Sequence, residues 1–178
     1  MSAQMLPEHL LEQAWHLAQR ERTRPKQASL GRAISTAYYA LFHFLIRESV
    51  RQIGPSLSED NFNRVYRWFD HGAMYRVAKA FSEEVVRIPN SKDMLVQGGR
   101  GIQFIAESFV YLQELRHMAD YDPGTVFIRG DVLATIGRVS TAFDLWPLCK
   151  KTSEANTFLL SLLLWEKWGK QRQPAPSY

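Results

Sequence analysis

The chain has 178 residues, of which 46% are hydrophobic and 12% aromatic, so it can bury the core of one domain. Its net charge of +4 permits contact with nucleic acid but does not indicate it, because dedicated binders gather their basic residues on one face. The single cysteine, Cys149, excludes an intrachain disulfide and a cysteine metal site. We therefore expect a protein of the reducing cytoplasm. The N-terminal residues do not resemble a signal peptide and the longest apolar run is too short to cross a bilayer, so we expect no membrane association.

Apolar residues recur at helical spacing along most of the chain. The first predicted helix begins at Pro7 and ends in the basic turn 20–26. Longer helices are predicted over 28–53, 101–121, 131–145 and 153–170, and a shorter, interrupted helical region lies over 58–81. Gly54-Pro55 and Pro147 are expected to end helices, and Ser56 or Ser58 to begin one. The stretch 89–101 shows the least periodicity, and no hairpin signal appears.

These elements predict an all-α protein, with five to seven helices around an antiparallel bundle. Residues 1–170 would form one domain and residues 171–178 a flexible tail. The last helix is apolar on almost every side. We therefore expect it to be buried, partly against a second copy in a homodimer.

The predicted helix 28–53 carries an unusual polar face opposite its apolar one. That face holds Arg32, Thr36, Tyr39, His43 and Arg47, with Ser35 at its edge. A solvated face would instead carry mostly lysine and glutamate. The pattern indicates either a polar contact with another helix or subunit, or one wall of a site.

The helix 101–121 carries charge where its apolar stripe should continue. The stripe contains Ile102, Ile105, Phe109 and Leu112. The same spacing then reaches Arg116 and Asp120, which are four residues apart and can pair. Charge on a core-facing stripe must be paired or used. If the two long helices pack antiparallel, Arg116 would approach Ser35 and Tyr39.

Other motif classes are not indicated. The five histidines are scattered, and only Glu12 and His16 share a helix face at ligand spacing, so we expect no metal and no cofactor. The glycines of 98–101 lack the strand before and the Lys-Ser/Thr after that a phosphate loop requires. His71 could be a ligand or a base, but a histidine before glycine is more typical of a helix C-terminus.

Two segments together resemble the HEPN domains (higher eukaryotes and prokaryotes nucleotide-binding), a family of small helical bundles. They read Arg-Ala-Ile-Ser-Thr-Ala-Tyr-Tyr-Ala-Leu-Phe-His at 32–43 and Leu-Arg-His-Met-Ala-Asp-Tyr-Asp-Pro at 115–123. The resemblance implies an antiparallel bundle of HEPN type with additional peripheral helices. Many members are dimeric, metal-independent endoribonucleases whose motif is an arginine, a polar residue and a histidine that follows the arginine after four to six intervening residues. Arg116 and His117 match the first two positions, but 121–123 contain no histidine, so the chain resembles the branch that ends in Ala-Asp-Tyr.

The resemblance implies a non-catalytic or weakly catalytic module of a bacterial toxin–antitoxin or defence-type system. It would act by binding RNA, a nucleotide or a partner such as a nucleotidyltransferase-type antitoxin. The binding residues would be Arg32, Ser35, Tyr39, His43 and Asp120.

Two alternatives stay open. One is a metal-independent endoribonuclease that uses Arg116 and His117 with Tyr121, because RNA cleavage needs charge stabilisation and proton transfer. The other is a structural or dimerisation bundle without a ligand, in which Arg116 and Asp120 form a fully bonded pair.

Overall fold

The computed structural model describes residues 5–83, 85–87, 95–97 and 99–168. Within these ranges the chain forms helices and one short antiparallel ribbon. The helices are α1 (Leu6–Gln19), α2 (Gln27–Ile53), α3 (Glu59–Tyr66), α4 (His71–Phe81), α5 (Arg100–Tyr121), α6 (Arg129–Cys149) and α7 (Ser153–Trp168). The ribbon pairs β1 (Val85–Arg87) with β2 (Leu95–Gln97). The prediction of a helical fold is confirmed, but the ribbon was not predicted because three-residue strands are too short to show alternation.

Helix α2 lies at the centre and packs against α1, α3, α5, α6 and α7. It is therefore enclosed on nearly every side, but the predicted polar face is still its less buried one. Ser35 and Arg47 are buried, Tyr39 and His43 are half-buried, and Arg32 is exposed. The polar side chains are tolerated because neighbouring helices supply their partners, which is the helix–helix contact that the sequence left open.

The apolar stripe of α5 forms a large part of the core. All four of its predicted members, from Ile102 to Leu112, are buried to 1% exposure or less. The Phe109 ring packs against the ring of Tyr38 in α2, with centroids 5.5 Å apart. This packing fixes α5 against α2 and sets the position of the charged residues that follow the stripe.

Two predicted helix boundaries are wrong. His71 begins α4 rather than ending a helix, because Asp70 caps that helix by accepting from the Ala73 N–H at 2.8 Å. Pro147 lies inside α6, which continues to Cys149. A proline in the last turn removes one hydrogen bond only, and the neighbouring buried Trp146 anchors that turn by donating to Glu48 at 2.8 Å. Of the two serines considered, Ser58 caps α3.

A buried arginine joins three helices. Arg47 of α2 is 5% exposed, and its Nη1 lies 2.8 Å from both carboxylate oxygens of Glu8 in α1. Its Nε donates to Glu48 at 3.0 Å, and Glu48 also accepts from Trp146 of α6. We call Arg47, Glu8, Glu48 and Trp146 the three-helix network.

Helix α7 packs mainly on α4 and α2, and its side chains up to Trp165 are buried or half-buried, apart from the exposed Ser153 at its start. The predicted tail at 171–178 lies outside the described residues. None of the helices in the described ranges combines the length and the apolar character needed to cross a membrane.

Candidate functional site

The Arg116–Asp120 pair lies where the C-terminal half of α5 meets α2. Arg116 Nε is 2.8 Å from Asp120 Oδ2, a close ion pair without the alignment of a hydrogen bond. Arg116 Nη2 donates to the Tyr39 hydroxyl at 3.1 Å, and the Ser35 hydroxyl donates to Asp120 Oδ1 at 2.7 Å. The predicted meeting of the two helices is therefore confirmed. The structure corrects one detail, because Ser35 bonds to Asp120 rather than to Arg116.

Three tyrosine rings surround the guanidinium of Arg116. Its central carbon lies 5.8 Å from the ring centroid of Tyr38, 5.7 Å from that of Tyr39 and 5.6 Å from that of Tyr121. These are cation–π distances. Burial opposes the charge of Arg116, but Tyr39 and Asp120 outweigh it and raise the pKa of Arg116 above its ordinary value. Arg116 is thus a fixed cation, and its side chain remains 23% exposed.

A second layer under this cluster contains Tyr38 and His71. The fully buried Tyr38 shares a hydrogen bond of 2.7 Å between its hydroxyl and His71 Nδ1. The His71 ring stacks on Phe42, with centroids 3.9 Å apart. Burial, and after it the charge of Arg116, lower the pKa of His71, so its ring is neutral at neutral pH.

His43, predicted as a binding residue, turns toward a different partner. Its Nδ1 lies 2.6 Å from the Tyr66 hydroxyl, and its ring centroid is 6.1 Å from that of Tyr39. Burial, with a smaller contribution from His71, lowers the pKa of His43 to about 4. The His43 imidazole is therefore neutral at neutral pH and packs against the Tyr39 ring.

A groove of about 390 Å³ opens beside Arg116. Its lining consists of Tyr75, Gln113, Glu114, Arg116, His117 and Met118. Within the described residues, Arg116 Nη1 has no hydrogen-bond partner. Glu114 accepts from the Tyr75 hydroxyl at 3.0 Å. The groove therefore presents one fixed cation, one carboxylate and one imidazole to a ligand.

Gln113 is an unpaired amide in the same groove. Its Oε1 is buried and has no hydrogen-bond partner in the described part of the chain. Sequence reasoning missed Gln113, Tyr75 and Glu114, because a single amide, hydroxyl or carboxylate on a helix surface is unremarkable until the neighbouring helix is placed.

A second cavity of about 300 Å³, which we call the end cavity, lies between the start of α2 and the segment after α5. Its lining includes Gln27, Gly31, Arg32, Asp120, Asp122 and Phe127. Gln27 holds the segment in place, since its amide donates to the Phe127 carbonyl at 3.0 Å and accepts from the Phe127 N–H at 2.7 Å. Arg32, predicted to share a site with Tyr39, faces this cavity instead. The Arg116–Asp120 pair thus has one member on each cavity.

The three residues predicted to be catalytic lie close together, with the Tyr121 ring against both Arg116 and His117, but only two of them line the groove. Arg116 and His117 line the groove, whereas Tyr121 does not. Tyr121 is 64% exposed, and its ring centroid lies 5.0 Å from that of His117. Across the ranges that the structure describes, no three His, Cys, Asp or Glu side chains are grouped as a metal site. The comparisons with protein-family models, curated proteins and solved structures find no match for this chain.

Proposed function

We propose that this protein is a HEPN-like helical module that binds the phosphate of a nucleotide or of RNA in the groove and does not cleave it. The supporting observation is the state of Arg116. Asp120 and Tyr39 hold its guanidinium in place, Nη1 has no hydrogen-bond partner among the described residues, and the Arg116 side chain lines the groove. A guanidinium that is fixed before binding loses little entropy when it meets a phosphate.

The same contacts argue against a purely structural role. A sealed ion pair would leave no space for a ligand, whereas this one borders a groove of about 390 Å³. They also argue against catalysis. His43 and His71 engage tyrosine hydroxyls and are not part of the groove lining, and 121–123 contain no histidine. The groove lining therefore contains one histidine, His117, whereas RNA cleavage needs both a base and an acid.

Binding of a labelled single-stranded RNA and of AMP tests the proposal. Arg116→Lys keeps the charge but loses the planar guanidinium, and we expect about tenfold weaker binding of both. Arg32→Lys is the matched control, because Arg32 faces the end cavity, and it should bind like the wild type. Equal affinities for all three proteins, with their melting temperatures unchanged, would refute the proposal.

The second candidate is a metal-independent endoribonuclease, which is favoured by the presence of Arg116 and His117 in one groove. Purified wild type, Arg116→Ala and His117→Ala would be incubated with total RNA in excess chelator. Our proposal expects no cleavage by any of them. Cleavage by the wild type that both substitutions abolish would establish the enzyme instead.

For a partner, we propose a second copy of the chain that docks at the C-terminal end of α5. Large apolar side chains are exposed there, with Tyr121 at 64%, Val126 at 75% and Ile128 at 66%. Light scattering should show a dimer that Ile128→Asp dissociates, and an unaltered mass would contradict this.

The partner drawn from the family resemblance, a nucleotidyltransferase-type antitoxin or defence component, would be tested by its copurification with the tagged protein.

A further inference from the structure

His71 is packed against both tyrosines of α2 that contact the Arg116 guanidinium. Its Nδ1 is 2.7 Å from the hydroxyl of the buried Tyr38, whose ring centroid lies 5.8 Å from the central carbon of Arg116. Its ring also meets the Tyr39 ring edge-on, with centroids 6.0 Å apart, and the Tyr39 hydroxyl accepts from Arg116 at 3.1 Å. The imidazole and the guanidinium therefore belong to one packed cluster.

Two charges of opposite sign act on the His71 ring. Arg116 of α5 disfavours the imidazolium, whereas Asp70, the residue before His71, favours it. The side chain of Arg76 lies near Asp70 Oδ1. The titratable groups of α2 that face His71 are the two tyrosines and the neutral His43. The other elements that pack on α4, which are α7 and β1, contribute none of these groups.

An anion in the groove would change this balance through Arg116. Burial and, after it, the charge of Arg116 lower the pKa of His71. A bound anion offsets the second of these causes, so the imidazolium forms more easily in the occupied protein than in the empty one. Protonated His71 then tightens the anion by the same factor, because both events share one interaction free energy.

The cluster can accept this proton without losing its contacts. Burial raises the pKa of Tyr38, so its hydroxyl stays protonated. The hydroxyl oxygen can accept from the Nδ1–H of an imidazolium, so the bond between Tyr38 and His71 survives in both states.

We infer that the groove is a proton-coupled anion site, in which His71 takes up a proton when Arg116 receives an anion, so that acidic pH tightens binding. This inference rests on the proposed function and names the regulation of that site. His71 is not part of the groove lining and acts only through Arg116. His117 does line the groove, so its own protonation must be separated from that of His71.

Nuclear magnetic resonance titrations of the histidine rings from pH 8 to pH 4.5 test the inference. Sulfate is the probe, because it stands in for phosphate and keeps its charge over this range, and sodium chloride of equal ionic strength is the control. Sulfate should raise the pKa of His71, and His117→Gln should leave this response intact. In Arg116→Gln, the pKa of His71 should be higher without sulfate and should no longer respond to it.

The affinity for sulfate provides a second measurement. In the His117→Gln protein it should rise about threefold from pH 7.5 to pH 5.5. Adding His71→Gln should abolish that rise, since glutamine can bond to Tyr38 but does not titrate.

The outcomes separate the two claims. If sulfate shifts the Arg116 and His117 resonances but leaves the titration of His71 as it is in chloride, the proton coupling is refuted and anion binding stands. If sulfate shifts none of these resonances, anion binding and the coupling are both refuted. If a variant does not fold, the comparison of sulfate with chloride on the wild type still decides.

Discussion

Two neutral histidines, His43 and His71, lie next to the Arg116 cluster, and each shares a hydrogen bond with a tyrosine hydroxyl. Their partners, Tyr66 and Tyr38, come from α3 and α2. Because burial lowers the pKa of both histidines, protonation is easier in the unfolded chain than in the folded one. The stability of the protein is therefore tied to pH through this pair.

We predict that the free energy of unfolding falls as the pH drops through the interval between the two pKa values of His43. The unfolded value is 6.5 and the folded value about 4, so the loss begins below 6.5 and is complete below about 4. The His43 ring is partly in contact with solvent, which reduces its contribution. We expect the protonation of His43 to lower the free energy of unfolding by about 2 kcal/mol. Urea titrations at pH 7.5 and 4.5 measure it. His43→Gln should lose less stability between these pH values than the wild type, and equal losses would contradict the prediction.

The sequence predicted the meeting of Arg116 with α2, because a charged pair at i,i+4 on an apolar stripe must find a polar partner on the next helix. Tyr38 and His71 could not be predicted in the same way. Tyr38 is adjacent to Tyr39 in the sequence, and spacing alone does not show which of the two hydroxyls turns toward α4. Gln113 could not be predicted either, because its sequence position is that of a surface glutamine and only the packing of α4 next to α5 buries its Oε1.

At the scale of elements, α6 shows how tertiary contacts override local signals. The sequence placed its end before Pro147, yet packing of Trp146 keeps the last turn helical. The strand β2, which lies within the stretch 89–101, was also missed because it forms by pairing with β1 and not through a local sequence pattern. Helices α2 and α5 were predicted within a residue at each end, whereas α6 begins two residues before and ends four residues after its predicted range of 131–145.

Gly137 lies inside α6, and a Cβ built there has no neighbouring atom within 4 Å. We predict that Gly137→Ala raises the free energy of unfolding by about 1 kcal/mol, because alanine loses less backbone entropy on folding than glycine. Chemical denaturation measures the change. Gly54→Ala is the contrasting variant. Its Cβ would overlap the Leu57 side chain, so no gain is expected there. A loss of stability in Gly137→Ala would show that α6 is packed differently.

At the scale of the whole molecule, the three-helix network connects residues 8, 47, 48 and 146, which are distant in sequence apart from the adjacent pair. Sequence periodicity showed Arg47 on a polar face but could not show that α1 covers it. The network places the buried Arg47 side chain between α1 and α6. Its two carboxylates differ in environment, since the Glu48 side chain is 13% exposed and that of Glu8 41%.

This difference predicts unequal costs of removing the carboxylates. Glu48→Ala should lower the free energy of unfolding by about 3 kcal/mol, because it removes the one carboxylate that accepts from both the buried Arg47 Nε and the Trp146 N–H. Glu8→Ala should cost under about 1 kcal/mol, as expected for a partly exposed pair. Urea denaturation at constant salt measures both. Similar losses in the two variants would mean that Glu48 does not hold the helices together.

The position of the Arg116–Asp120 pair, with one charge on each cavity, has a thermodynamic consequence. An anion in the groove offsets the positive charge of the fixed guanidinium, which otherwise balances the Asp120 carboxylate, so the end cavity becomes more electronegative. Anions in the two cavities would then weaken each other's affinity. Since binding linkage is reciprocal, the same factor would act in both directions.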